Sequence, residues 1–502
     1  MSLLNRVYKK SELVFFLILL CFTASFPWWN DAWMSFDGPM HTYNAGLMQL
    51  YHHDLFVRTF LKEQPFILPN FLSHVLLKWL LVGVDSLTAE KIIVSALMVS
   101  WACSFRWLIK TLTGTVPYLS VLIFPLLLNN LVYMGFYNFN LGFTFFNLHL
   151  IFLSKALNHS SRKAWLLVTV NALVLYYSHL MGFALGVVAG LLLLVTQSAT
   201  LQAKKTAILQ YAWCVLPAAL IAVVFFLTVN VPSFDYDSSF DEKVKAWVKF
   251  DPIITYNGDL EGLYGQLFAL LLAVLLVLTF WRYIREKKST PVFFILFVLM
   301  VVASLTFKNG ALSGMFTARA LLTGFYFLVI AVALDAKGMR FLTIPVALLI
   351  GVIQYQVTNL RQRDLAQVQT YIQDIKGASK VMKDHSLVQT IRLSDDTYSG
   401  NYGAHAVSGR PIILLENYEA NIAWFPLNWR SYMADLLIDQ EPIFSHLKVD
   451  YVLVYGTDYR VKDRFSPQLL QYMQKNMKRI YQSADTFCTV YGWRNQPVTP
   501  QQ

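Results

Sequence analysis

Residues 71–84 read FLSHVLLKWLLVGV, and this segment decides how the chain crosses a membrane. The segment is apolar, but its 14 residues are fewer than the roughly 17–25 of a transmembrane helix, and His74 and Lys78 interrupt it. If it crossed the bilayer, every later loop would change side. The positions of Lys and Arg distinguish the two assignments, because short cytoplasmic loops are enriched in basic residues.

The composition of the chain is typical of a membrane protein. Of its 502 residues, 56% are apolar and 14% are charged, whereas an ordinary soluble domain has about a quarter charged residues. Backbone polar groups in hydrocarbon must be bonded within their own segment, so long apolar runs are expected to be helices. About eleven spans are predicted, approximately at 13–29, 90–107, 115–130, 136–156, 164–178, 180–197, 208–229, 263–281, 291–306, 316–334 and 341–357.

The basic loops favour a surface helix at 71–84. With this segment on the outer surface, all the Lys- and Arg-rich loops face the same side as the N-terminus, which is then cytoplasmic. Because eleven is odd, the C-terminal segment lies on the opposite side. The net charge of +11 follows from this topology and does not indicate a nucleic-acid partner. The basic loops are 106–114, 158–163, 199–207, 282–290 and 335–340.

The C-terminal residues 358–502 change character, because a polar helical stretch at 359–383 is followed by alternating short strand and helix patterns. This alternation predicts a small soluble α/β domain. We therefore predict a membrane domain at 1–357, with outer loops 30–89 and 230–262, and a separate domain at 358–502. The predicted elements of that domain are strands at 387–393, 411–415 and 450–455, a helix at 466–477, and a terminal hairpin of 478–483 and 487–493.

The first outer loop contains the main catalytic candidate. Asp37, Gly38 and Pro39 precede His41, a pattern typical of a helix start with an acidic N-cap and a proline in the first turn. Capping alone is one interpretation of Asp37. In the other, the same geometry fixes a carboxylate beyond the first span, with His41 one turn further on the same side, where a general base is needed.

A metal site is a further hypothesis for the same loop. His52, His53 and Asp54 are consecutive and could hold a divalent ion together with Asp37. No ligand spacing in the sequence is diagnostic of a metal, so a metal requirement stays open.

Several short motifs resemble those of the C-type glycosyltransferase superfamily (GT-C), which includes protein O-mannosyltransferases and the bacterial aminoarabinose and polyprenyl-phosphate-sugar transferases. The matching features also include the order of a first span, an outer loop with an early Asp, many further spans and a C-terminal outer domain. The motifs are DGPMH at 37–41, a surface helix after Pro65 or Pro69, VYMGFYNFNLG at 132–142, YYSHLMGF at 176–183, NGALSGMFTAR at 309–319 and WFPL at 424–427.

The resemblance implies an inverting transfer of a sugar from a polyprenyl-phosphate donor to a lipid, polysaccharide or protein acceptor outside the cytoplasm. It also implies that Asp37 is the base that takes the proton of the acceptor hydroxyl. Many relatives have two adjacent acidic residues there, whereas this chain has Asp37-Gly38, so a second carboxylate would come from Glu63 or Asp54. We expect these residues and His41 beside the acceptor or around Asp37.

Cations near the leaving phosphate would stabilise the transition state of such a transfer. Arg319 lies slightly inside its span, where an Arg is expected to face a polar cavity, and its planar fork suits phosphate. Lys308 is a second candidate, with snorkelling to the interface as the alternative. His179 is predicted to contact phosphate or acceptor, or to cap a tight turn. Asn138 and Asn140 are predicted to bind sugar hydroxyls, with helix capping as the competing role.

Two other functions remain open from the sequence. A polymerase or ligase for lipid-linked oligosaccharides would fit the number of spans, but we would expect a large Arg-rich outer loop, and 230–262 is more acidic than basic. A lipid or glycan transporter should have ionisable residues near the middle of its spans, whereas here they concentrate at outer ends and loops. The resemblance places the protein in a bacterial inner membrane, with the C-terminal domain in the periplasm.

Overall fold

The computed structural model describes residues 3–494 apart from 66, 160, 198–199, 232–235, 256–257, 287–291, 311–313, 394–399, 439–440, 444–445 and 457–465. Parts of the predicted outer loop 230–262, the basic loop 282–290 and the motif 309–319 therefore lie outside the described residues. The contacts divide the chain into two units, each discontinuous in sequence. We call Met1–Pro27 with Val94–Asp364 the helical unit, and Trp28–Ile93 with Leu365–Gln502 the mixed unit.

Most of the described chain is helical, and strands occur only in the mixed unit within the described ranges. The helices are α1 Leu3–Ser25, α2 Gly38–Leu50, α3 Leu55–Phe60, α4 Leu72–Leu80, α5 Ser86–Thr113, α6 Phe124–Leu127, α7 Asn130–Tyr133, α8 Tyr137–His159, α9 Arg162–Ser178, α10 Leu180–Gln197, α11 Leu201–Thr228, α12 Phe240–Lys249, α13 Gly258–Glu286, α14 Val292–Thr306, α15 Phe316–Leu334, α16 Thr343–Ser379, α17 Gly403–Val407, α18 Ser431–Ala434 and α19 Pro467–Asn476. The strands are β1 Leu61–Glu63, β2 Ser386–Arg392, β3 Ile412–Leu414, β4 Leu427–Trp429, β5 Leu437–Ile438, β6 Glu441–Pro442, β7 Tyr451–Tyr455, β8 Met477–Gln482 and β9 Cys488–Trp493.

Six of the described helices are long and apolar enough to cross a membrane. Three shorter apolar segments, of 10–17 residues, accompany them. The prediction of a helical membrane protein is therefore supported, whereas the count of about eleven spans is not confirmed. The six segments are Val7–Trp28, Ser86–Thr113, Leu201–Thr228, Gly258–Arg282, Phe316–Leu334 and Ala336–Ala366.

The prediction of one uninterrupted span at 115–130 is wrong. This part of the chain forms a 3-10 turn at Ser120–Ile123 and then the short helices α6 and α7. Pro125 in the first turn of α6 has no N–H to donate, and Leu128 leaves the helical conformation at φ −100°, ψ 51°. Asn129, in extended conformation, then caps α7 through its side chain. The apolar composition reflects complete burial of these residues within the helical unit.

A buried ion pair joins three parts of the helical unit. Arg361 of α16 and Glu261 of α13 are both fully buried, with Nη2 3.4 Å from Oε2. The guanidinium also donates to the backbone carbonyls of Leu128 and Ile253, each at 2.5 Å, and lies over the ring of Tyr133. Arg361 therefore binds a carbonyl that the break after α6 leaves outside the helical pattern.

The mixed unit contains a five-stranded sheet in the order β3-β2-β7-β9-β8. β3, β2 and β7 are parallel, whereas β9 pairs antiparallel with both β7 and β8. All of β7 and nearly all of β2 are buried, as expected of parallel strands covered on both faces. The sequence patterns at 387–393, 411–415, 450–455, 466–477 and the terminal hairpin correspond to β2, β3, β7, α19 and β8-β9, so these predictions are confirmed within one or two residues.

The first outer loop, which the sequence analysis grouped with 1–357, contributes to the mixed unit. β1 of this loop pairs antiparallel with β4, with Leu61 opposite Trp429. The hydroxyl of Tyr43 donates to the carbonyl of Ile412 and accepts from the N–H of Leu414, both at 2.9 Å. The predicted surface helix at 71–84 is α4, whose nine residues are too few to span a bilayer.

Glu416, just after β3, makes the stability of the mixed unit depend on pH. Burial raises the pKa of Glu416 to about 7, although the N–H of Thr390 donates to its carboxylate and opposes the rise. Ionisation then costs free energy only in the folded state. The stabilisation is complete below the ordinary pKa of about 4.5 and is lost as the pH rises through about 7.

We therefore expect the thermal midpoint of the full-length protein in detergent to fall between pH 5.5 and pH 8, and the Glu416→Gln variant to show a smaller fall. The loss of unfolding free energy over this window should be about 2 kcal/mol, because it covers roughly 1.5 pKa units at about 1.4 kcal/mol each. The exposed Asp31→Asn variant serves as the control and should behave as wild type. Equal pH dependence in wild type and Glu416→Gln would contradict this assignment.

Candidate functional site

Asp37 occupies the N-cap position of α2, but its side chain makes no capping hydrogen bond. The residue has helical backbone angles, φ −92° and ψ −18°, and is 8% exposed. Asn401 Nδ2 donates to the carbonyl of Phe36 at 2.8 Å and lies 3.5 Å from Asp37 Oδ1. A capping hydrogen bond therefore does not explain this buried carboxylate, and the functional interpretation of Asp37 stays a prediction.

One turn further along α2, His41 belongs to a buried group of three titratable residues. Its Nδ1 lies 2.5 Å from Oε1 of Glu419, which comes from the 3-10 turn Tyr418–Asn421. The other carboxylate oxygen, Oε2, lies 3.1 Å from Nε2 of His74 on α4. Sequence analysis singled out Asp37 and His41 but missed Glu419 and His74. We call His41, His74 and Glu419 the His-Glu-His cluster.

The cluster carries one stable negative charge beside a cation. Burial opposes ionisation of Glu419, but the charges of His41 and His74 and their hydrogen bonds lower its pKa to about 2. Burial would lower the pKa of His41, but the charge and hydrogen bond of Glu419, with the charges of Asp37 and Glu90, raise it. Burial lowers the pKa of His74 despite Glu419. Protonation is therefore favoured at His41 over His74, beside the carboxylate of Glu419.

Amide and aromatic side chains surround the cluster. Asn44 Nδ2 donates to Glu419 Oε2 at 2.8 Å and to Asn417 Oδ1 at 3.0 Å, and Asn417 Nδ2 donates back to Asn44 Oδ1 at 2.8 Å. The ring of Phe425 stacks on His41 and meets His74 edge-on. The amide of Asn44 therefore orients the carboxylate of Glu419, and the ring of Phe425 covers the two imidazoles.

The other acidic candidates of the first loop have different partners. Asp54 caps α3 by accepting from the N–H of Val57 and pairs with His385 at 2.9 Å. Glu63 lies on β1 and pairs with His52 at 3.5 Å. Among the residues that the structure describes, the one set of three or more His, Cys, Asp or Glu side chains grouped for a metal is the His-Glu-His cluster. The structure does not group His52, His53, Asp54 and Asp37 in this way, so the metal site predicted there is not supported.

In the helical unit, Arg319 lies in the first turn of α15 and is partly buried. Its guanidinium lies over the ring of Phe136, 4.8 Å from the centroid. Its positive charge disfavours protonation of the His179 imidazole. His179 follows α9, is 6% exposed, and packs edge-on against Phe139 at 5.0 Å. Its Nδ1 is buried with no hydrogen-bond partner among the described residues. Arg319 and His179 are thus close in space, and their predicted contacts with a donor phosphate stay predictions.

An apolar crevice in the helical unit lies between α8, α10 and α15. It includes Phe139, which packs against His179, and Thr323, whose hydroxyl donates to the carbonyl of Arg319 at 2.8 Å. Gly142 and Gly182 face each other across it, since a Cβ at Gly182 would lie 3.6 Å from the Gly142 Cα, in ordinary contact. Its lining residues are Phe139, Gly142, Phe143, Phe146, Met181, Gly182, Leu185, Thr323 and Phe327.

The remaining predicted residues have mixed roles. Asn140 is fully buried, accepts from Asn129 Nδ2 at 2.8 Å, and donates to the carbonyl of Phe136 at 2.9 Å. These hydrogen bonds stabilise the start of α8. Sugar binding by Asn140 therefore stays a prediction, beside this structural role. Asn138 is 9% exposed in the first turn of α8. Lys308 is exposed after α14, which fits the snorkelling alternative.

These observations define a membrane-type chain whose helical unit has a partly buried cation beside an apolar crevice, and whose mixed unit has a buried carboxylate beside a His-Glu-His cluster. The sequence matches no protein-family model and no curated protein. We therefore infer the function from the chemistry of these two groups of side chains.

Proposed function

We propose that this protein is an inverting membrane glycosyltransferase, which moves a sugar from a polyprenyl-phosphate donor to an acceptor hydroxyl on a lipid, polysaccharide or protein. The observation that carries the proposal is Asp37, a buried carboxylate at a helix start that does not cap its helix. A carboxylate fixed in this way has the chemistry of a general base. The proposal also places the protein in a bacterial inner membrane, with the N-terminus in the cytoplasm and Asp37 on the periplasmic side.

In the proposed reaction, Asp37 takes the proton of the acceptor hydroxyl while the acceptor oxygen attacks the anomeric carbon of the sugar. The bond from that carbon to the phosphate oxygen breaks, and the polyprenyl phosphate leaves with the electron pair. Attack from the face opposite the leaving group inverts the anomeric configuration. No other co-reactant is needed, because the acceptor supplies the proton and the donor supplies the leaving group.

The helical unit supports an anionic lipid as the donor. Arg319 supplies a cation that suits a phosphate, since its fork can donate two parallel hydrogen bonds. The small crevice beside it has aromatic and aliphatic walls, and Thr323, one turn along α15 from Arg319, lines it. A phosphate on a long apolar chain is the ligand class that matches both features.

The test is a transfer assay with the full-length protein in lipid nanodiscs. A panel of radiolabelled polyprenyl-phosphate sugars is offered with lipid, polysaccharide and peptide acceptors, and transferred or released sugar is counted. We expect one donor to be used by the wild type, with inversion at the anomeric carbon. Absence of turnover with every donor, in protein that is folded and binds the donors, would refute the proposal.

The Arg319→Gln variant tests the donor-phosphate role. We expect its transfer rate to fall roughly 100-fold, because it loses a charged donor aimed at the leaving group. Lys308→Gln should fall much less, since Lys308 is exposed. The matched control is Arg285→Gln, an exposed arginine in the last turn of α13, which should transfer at the wild-type rate. Equal rates in wild type and Arg319→Gln would remove Arg319 from the donor site.

A further inference from the structure

We propose that the His-Glu-His cluster of the mixed unit binds a divalent transition-metal ion, with zinc as the best match. This inference goes beyond the proposed transfer reaction and does not depend on it. His41 Nδ1, His74 Nε2 and the Glu419 carboxylate all lie within 4.8 Å of one another. Two imidazoles and one carboxylate form a ligand set of catalytic zinc sites, which leave a further position open.

An ion would need the three ligand atoms, which lie within 4.8 Å of one another, to rearrange around one centre. Zinc bonds to His nitrogen and carboxylate oxygen are about 2.0–2.2 Å, so two ligand atoms on a tetrahedral ion are about 3.3 Å apart. The observed nitrogen–oxygen separations are 2.5 Å for His41 and 3.1 Å for His74. The two imidazole rings are not parallel, with centroids 4.8 Å apart and planes at 72°. Side-chain rotations that widen the first contact would bring all three ligands around one centre.

The three ligand side chains are buried, and neighbouring side chains hold them in place. His41 is 6% exposed, and His74 and Glu419 are fully buried. Outer partners that orient ligands raise metal affinity, and here Asn44 donates to Glu419 while pairing reciprocally with Asn417. Phe425 stacks on one imidazole and meets the other edge-on, which keeps solvent from this side.

The ligand chemistry selects the class of ion. Imidazole suits zinc, iron, nickel and copper, whereas magnesium and calcium prefer sites made of oxygen ligands. A cluster with two nitrogen ligands therefore favours a transition metal over magnesium. The competing state is the metal-free ion pair of His41 and Glu419, and zinc binding itself distinguishes the two.

The experiment measures zinc bound to the purified full-length protein. The protein is stripped with chelator, equilibrated with Zn²⁺ in detergent, and analysed for metal per chain by mass spectrometry. We expect one zinc per wild-type chain, retained in excess Mg²⁺. Co²⁺ in its place should give the visible absorption of a cobalt ion with nitrogen and oxygen ligands. A wild-type chain that retains no zinc would overturn the proposal and leave the ion pair as the only role of the cluster.

Variants locate the ion. Glu419→Gln and His74→Ala should each lower zinc affinity by 100-fold or more, because each removes a ligand; loss of an outer partner alone costs about 10- to 100-fold. His53→Ala should keep full zinc binding, since the structure gives His53 no place in the cluster. Zinc that persists in both ligand variants, or that disappears in His53→Ala, would overturn the assignment. Because binding is read directly, this result is independent of sugar transfer.

Discussion

Replacing Asp37 by Asn should reduce sugar transfer by roughly 100- to 10,000-fold, the range that a general base typically contributes. The amide has nearly the shape of the carboxylate but cannot take the proton of the acceptor hydroxyl. Folding should be preserved, because Asp37 does not cap α2 and an amide oxygen can keep the contact with Asn401. The loss should appear in kcat more than in KM, since proton transfer occurs in the transition state.

The control for this prediction is Asp31→Asn in the same loop. Asp31 is exposed and accepts from Gln373 Nε2 at 3.0 Å. Its variant removes one negative charge six residues from Asp37 and should transfer at the wild-type rate. Near-normal transfer by Asp37→Asn would exclude Asp37 as the base. Equal losses in both variants would instead indicate that the negative charge of the loop matters, and not a base at one position.

The C-terminal strands were predictable because each has a local signal. The run at 450–455 is dominated by Val, Tyr and Leu, and β7 is fully buried. The hairpin of β8 and β9 follows from two alternating runs with a short connection. What no local pattern contains is the pairing of β1 with β4, since Leu61 and Trp429 are far apart in sequence. The grouping of the first loop with the C-terminal strands therefore could not be predicted.

Only the part of the candidate site that is local in sequence could be predicted. Asp37 and His41 are four residues apart, and a helix start between them places both on one side. His74 was noticed only as an interruption of an apolar segment, and Glu419 lies in a turn with no periodic pattern. Their meeting with His41 depends on the packing of α2, α4 and the 3-10 turn. What distinguishes Glu419 from the other buried acidic residues is its position between two imidazoles, and the sequence does not show that position.

The interrupted segment 120–133, which follows α5, shows another limit of prediction from sequence. Its composition is apolar enough to predict a span, but Pro125 and the turn at Leu128 interrupt the backbone pattern. In a membrane protein, irregular backbone is tolerated where it is buried in protein and its polar groups are bonded. Arg361 provides such a bond, since Nη1 donates to the carbonyl of Leu128 at 2.5 Å. The buried arginine in the middle of α16 therefore has a structural role.

Replacing Arg361 by Met should destabilise the protein by about 3–5 kcal/mol, the cost of removing one partner of a buried ion pair. The methionine fills part of the volume, but Glu261 keeps a buried charge that loses its Arg361 contact, and the carbonyls of Leu128 and Ile253 lose their donor. The measurement is the thermal or denaturant midpoint of the full-length protein in detergent. The exposed Arg340→Met variant is the matched control and should unfold as wild type does.

A second substitution separates charge from hydrogen bonding. Glu261→Gln in the Arg361→Met background removes the buried charge, so the double variant should recover part of the lost stability. Recovery would be incomplete, because the two carbonyls still lack the guanidinium that bonded them in the wild type. Full recovery would mean that Arg361 serves only to neutralise Glu261. No recovery would mean that the carbonyls of Leu128 and Ile253, and not the charge of Glu261, are the groups that require Arg361.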